Sequence, residues 1–165
     1  MLRHVKNPGV FSLVCIMPLL LLFISCRNDA GIDKTEVEKA KNIIINSTSV
    51  SSSRIYESGN ISRNAWAFSV LYQHAEKYGC KDFIDVFYKS KHQEGRIYAL
   101  AGLFRLDKKN YQYLKKQMLP GKVHIQWYCE SSERDLNTLF EKDIPSESFF
   151  KQLIILPVPK YEITQ

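Results

Sequence analysis

The chain has 165 residues, 45% of them hydrophobic and 12% aromatic, with 23 Lys and Arg against 17 Asp and Glu for a formal charge of +6. That aromatic and apolar content excludes a disordered polar chain, and the length suits one domain with a modest core. A basic excess fits anionic lipid, nucleic acid or a plain lysine-rich surface.

Residues 10–26 read VFSLVCIMPLLLLFISC, with Arg3, His4 and Lys6 before them and Arg27, Asn28 and Asp29 after. The apolar run of roughly 16 residues fits a secretory h-region of about 7–15 better than a spanning helix of about 20. Pro18 further disfavours an unbroken helix. The ending Phe23-Ile24-Ser25-Cys26 resembles a bacterial lipobox, in which a small residue precedes a cysteine that is lipidated and becomes the N-terminus. Phe23 stands where a Leu is usual. The resemblance implies a lipoprotein signal peptide over 1–25, lipidation at Cys26 and a tether over 26–32. It places the protein in the bacterial cell envelope, held to a membrane and facing the periplasm or the exterior. An ordinary cleaved signal and an uncleaved anchor stay open. Export removes nucleic acid as a partner, and losing Arg3 and Lys6 lowers the net charge by two.

Residues 33–165 read as a single, mostly helical domain. Asp33 and Glu36 have capping-box spacing, and a helix over 34–45 puts Val37, Ala40 and Ile44 on one face. Residues 46–53 (NSTSVSSS) read as a Ser-rich linker, either hinge or loop. Asn60 or Ser62 caps the next helix, whose stripe is Trp66, Val70 and Tyr78 and which Gly79 ends. Asp82 caps a short helix over 83–89, with Phe83, Val86 and Phe87 inward.

Residues 97–106 (IYALAGLFRL) are apolar almost all round as far as Phe104, so they form the central buried helix. Ala99 and Gly102 there let a neighbouring helix approach closely. Asp107 caps the next helix, carrying Tyr111, Leu114 and Met118, and Pro120-Gly121 stops it. Val123, Ile125, Trp127 and Cys129 then alternate with polar residues, a strand pattern. A short helix within 131–141 carries Leu136, Leu139 and Phe140, and Ser146 caps a last one with Phe149, Phe150 and Leu153.

Cys15 leaves with the signal and Cys26 takes the lipid, so Cys80 and Cys129 remain as an even pair in an oxidising compartment. A disulfide between them would staple the extended segment to the helices; two separate buried thiols are the alternative. No CxxC occurs, so a redox motif and a zinc ribbon are unsupported.

Ser90, Gly95-Arg96-Ile97-Tyr98-Ala99-Leu100, Gly102-Leu103 and Asp107, with the later segment 123–129, resemble the signature of an uncharacterised group of bacterial lipoproteins with paired, HEAT-like helices. The resemblance covers about residues 62–130 and adds no mechanism. The expected fold class is therefore mainly α, a small domain of HEAT-like hairpins with a short extended or β segment near 122–130.

Phosphate-cradling glycine motifs, HExxH and GxSxG are absent. His74, His92 and His124 stand alone in sequence, and His92 with Glu94 is as a rule a solvated pair. Ser148 and Lys151 match SxxK, but no SDN or KTG follows. Lys108, Lys109, Lys115 and Lys116 fall on one helix and suit anionic headgroups or a solvated face. No catalytic residues, cofactor or metal ligands are assigned. The expected activity is non-enzymatic protein binding at the membrane, with an envelope hydrolase as the alternative. Stacked helix pairs form the extended surfaces that repeat proteins use for binding.

Overall fold

The computed structural model describes residues 32–55, 60–127 and 130–158. The chain divides into two units, Met1–Gly31 and Ile32–Gln165, and every described residue belongs to the second. The expected signal segment, Cys26 and Cys129 lie outside the described residues. Among the described residues, no helix is long and apolar enough to cross a membrane.

The domain is mainly helical with a small sheet, as the residue pattern predicts. Helix α1 (Lys34–Ile45) starts at a capping box formed by Asp33 and Glu36 and buries Val37, Ala40 and Ile44. Helix α2 (Arg63–Tyr78) is capped by Ser62, whose hydroxyl accepts the Ala65 N–H, and ends at Gly79 with φ +90°. A side chain there would be strained, which is why glycine terminates the helix. Helix α3 (Lys81–Lys89) buries Phe83, Val86 and Phe87. Its N-cap is Cys80, and Asp82 sits inside the first turn, where its charge still complements the helix dipole.

Helix α4 (Gln93–Leu106) is the centre, in contact with α1, α2, α3 and the sheet. Ile97 through Leu103 are all buried, while Phe104 is only partly so. Asp107 ends α4 and caps α5 (Lys108–Lys115) by accepting the Asn110 N–H at 3.1 Å. The Phe68 ring lies 5.8 Å from those of Phe83 and Tyr98 and 6.1 Å from that of Phe150, so one aromatic cluster joins four helices.

Three strands form the main sheet. β1 (Val50–Ser51) pairs parallel with β4 (Lys122–Trp127), which pairs antiparallel with β5 (Glu130–Asp135). A two-residue pair, β2 (Arg54–Ile55) and β3 (Asn60–Ile61), stands apart. A short helical turn α6 (Leu136–Thr138), a π-turn (Leu139–Asp143) and α7 (Glu147–Leu153) complete the fold.

Further readings of the sequence change, and the helix expected to carry Met118 ends at Lys115. Residues 46–53 run through the fold, with Ser47, Ser51 and Ser52 buried, because their polar groups are hydrogen-bonded there: the Ser51 N–H donates to the Tyr98 hydroxyl at 2.7 Å and the Ser52 N–H to the Gln126 carbonyl at 2.9 Å. Residues 131–135, expected to start a helix, belong instead to β5. Its residues are nearly all exposed, so no apolar alternation marks it. Tyr78 leaves the buried stripe of α2 and is exposed, its ring centroid 4.7 Å from that of His74.

Candidate functional site

The densest group of charges lies where α1, α2 and α3 meet. Lys41 follows Val37 by four positions and precedes Ile44 by three, so helical geometry carries it onto the apolar face of α1. It is only 7% exposed. A buried ammonium needs partners, and Lys41 Nζ has three: Glu38 and Asp82 at 3.2 Å and Asp85 at 3.4 Å. Asp82 and Asp85 are three apart on α3 and share the face turned to α1. Burial pulls the Lys41 pKa down, but the carboxylates of Asp82 and Glu38 outweigh it and hold the group above its ordinary value. Burial likewise pushes the Asp85 carboxyl up, and Lys89 and Lys41 bring it below the usual range.

His74 on α2 joins this group. Its Nδ1 lies 2.9 Å from Asp82 Oδ2, outside hydrogen-bond geometry. The pair borders an open groove with Ile32, Lys34, Val37 and Tyr78. An imidazole beside a carboxylate recurs in catalytic arrangements, and Lys34, Glu38 and Tyr78 also line the groove. Among the described residues, no three His, Cys, Asp or Glu side chains are placed to hold a metal ion. The ion pairs of Lys41 with Glu38, Asp82 and Asp85 tie α1 to α3.

The residues singled out in the sequence are scattered. His92 is exposed at the start of α4, and Glu94 instead accepts the His124 N–H at 3.0 Å. The His124 ring pairs with the Ser131 hydroxyl at 2.9 Å across β4 and β5. Ser148 and Lys151 are both exposed on α7. Cys80 is half-buried, and burial, with the nearby Asp107 charge, pushes its thiol pKa up. Its expected partner Cys129 lies outside the described residues.

The segment Ser90 to Asp107 has a packing role at each of its distinctive positions. The Ser90 hydroxyl donates to the Val86 carbonyl at 2.6 Å. A Cβ on Gly95 would stand 2.5 Å from Ser90 Oγ and 2.6 Å from the Ile44 carbonyl oxygen. A Cβ on Gly102 would stand 2.5 Å from the Phe83 ring. Tyr98 holds β1, and Asp107 caps α5. Comparison with protein-family models, curated proteins and solved structures finds no match for the chain.

Proposed function

We propose that this is a lipid-anchored protein of the bacterial cell envelope whose helical domain binds a protein partner and carries out no chemistry of its own. The observation that carries this reading is the set of large side chains left in solvent. Tyr78 is 63% exposed and Tyr88 56%, in a domain that buries Trp66, Phe68, Phe83, Tyr98 and Tyr111. Exposed tyrosines supply rigid contact area with a polar tip, and they are enriched where proteins meet. The lipobox-like ending at Cys26 and the paired-helix resemblance support the anchoring and the family. The use of the Ser90–Asp107 positions in packing agrees with a signature of fold rather than of catalysis.

Site-specific photo-crosslinking in intact cells tests the reading. A benzophenone side chain at position 78 or 88 should give one discrete protein adduct, with none from the exposed position 151. Absence of a discrete adduct from both tyrosine positions would remove the basis for it.

A further inference from the structure

We infer that the outer face of α5, with the turn after it, is a second membrane contact that seats on anionic phospholipid. The inference extends the lipid-anchored reading and rests on it. Lys109, Gln112, Tyr113 and Lys116 follow one another at helical spacing and are all exposed, while Tyr111 and Leu114 on the opposite side are buried. Lys108 and Lys115 flank this face with their ammonium groups over the rings of Phe104 at 5.5 Å and Phe140 at 5.1 Å. No acidic residue occurs from position 108 to 121. Among the described residues, none of these four lysines makes an ion pair; the nearest acid in sequence, Asp107, caps Asn110 and feels the Lys109 charge without pairing with it.

Two apolar groups project from the basic field. Tyr113 is 61% exposed and Leu119 67%, and Leu119 rims a groove with Met118, Pro120 and Phe140. Ammonium groups around a projecting tyrosine and leucine match the chemistry of a headgroup layer, where the charges meet phosphate and the apolar tips enter the acyl boundary. An acidic protein would satisfy the lysines, whereas a headgroup layer meets both the lysines and the apolar tips of Tyr113 and Leu119. Each lysine close to such a surface is worth about fivefold in affinity. Only residues 27–31 separate Cys26 from Ile32, a reach of at most about 20 Å. A lipid at Cys26 would hold the domain at the membrane surface and raise the effective concentration of anionic headgroups around it.

The test is amide hydrogen exchange on the full chain reconstituted into vesicles of phosphatidylcholine alone or with about one-third phosphatidylglycerol. Mass spectrometry of Cys26 in the same sample reports separately on the anchor. Residues 108–120 should exchange at least fivefold more slowly on the anionic vesicles. The protection should vanish in 0.5 M salt, a concentration chosen to screen exposed charges to within about 5 Å. It should also vanish in the Lys109→Gln/Lys116→Gln chain, and persist in Lys91→Gln/Lys151→Gln, which alters exposed lysines elsewhere. Equal exchange on both vesicles overturns the inference, as does protection that survives Lys109→Gln/Lys116→Gln. Protection in native envelope vesicles but not on phosphatidylglycerol assigns the face to a protein instead. An unmodified Cys26 defeats the anchored reading while leaving the lipid-dependent protection to be read on its own.

Discussion

The Tyr98 hydroxyl, at the centre of α4, accepts the backbone N–H of Ser51 at 2.7 Å with both groups buried. This contact joins the central helix to the sheet. Tyr98→Phe keeps the ring but strands the Ser51 donor, and a buried donor without a partner costs about 1–3 kcal/mol. Urea melts of the detergent-solubilised chain should show that loss. A change below about half a kcal/mol would mean that water replaces the hydroxyl.

Lys41→Met removes the charge and keeps most of the stem, so it should cost about 1–3 kcal/mol by stranding partly buried carboxylates. The pH dependence separates this from lost packing. Asp85 has a folded pKa below its ordinary value of 3.8, so its contribution is present above that value and is lost as pH falls through the folded one. Lys41 has a folded pKa above 10.5, so its contribution is complete below 10.5 and is lost as pH rises through the folded one. In Lys41→Met the alkaline loss should disappear and the acid loss should shrink, since Lys89 still faces Asp85. An unchanged stability–pH curve would show that the ion network is idle.

Gly102→Ala puts a methyl against the Phe83 ring, and overpacking of this kind costs about 1–3 kcal/mol. Paired with Phe83→Leu, the two changes should cost clearly less than their separate effects added together. Strict additivity would place the strain elsewhere. Leu100→Ala, fully buried on the same helix, should cost about 2–5 kcal/mol.

Palmitate-analogue labelling should mark the wild-type chain and not Cys26→Ala; equal labelling of both would sink the lipidation reading. For Cys80, burial and a raised pKa predict slow alkylation in the folded chain at neutral pH. If Cys80 and Cys129 are bridged, unfolding without reductant leaves Cys80 unalkylated. Closing a loop of about 50 residues is worth roughly 4 kcal/mol in the chain-entropy model, less any strain. Two alkylated thiols in protein unfolded straight from the envelope would rule the bridge out.

Four helix starts were legible from a cap followed by an apolar stripe, while Asp82 with Phe83 misplaced the start of α3, whose N-cap is Cys80. Asp33 with Val37, Ser62 with Trp66, Asp107 with Tyr111, and Ser146 with Phe149 all mark helices that form. β5 was not legible, because an exposed edge strand of Glu, Ser, Arg and Asp has no buried face to impose a period of two. The buried serines were hidden for a related reason. Polar composition reads as loop unless the partners are known, and the partners of residues 51 and 52 lie far along the chain in Tyr98 and Gln126. The Lys41 network left one usable trace, a lysine spaced helically between Val37 and Ile44. Its acidic partners on α3 gave none, since Asp82 looks the same as a helix cap.

The parallel pairing of Val50 with Ile125 also sets an order of events during folding. The two residues are about 75 positions apart, so closing this contact waits on a long loop. The chain is synthesised from its N-terminus, so the residues of α1 to α4 precede those of β4. Until Ile125 arrives, β1 presents an unpaired edge and Val50 has no cover. During that interval the nascent domain is open to wrong strand pairing at residues 50–53.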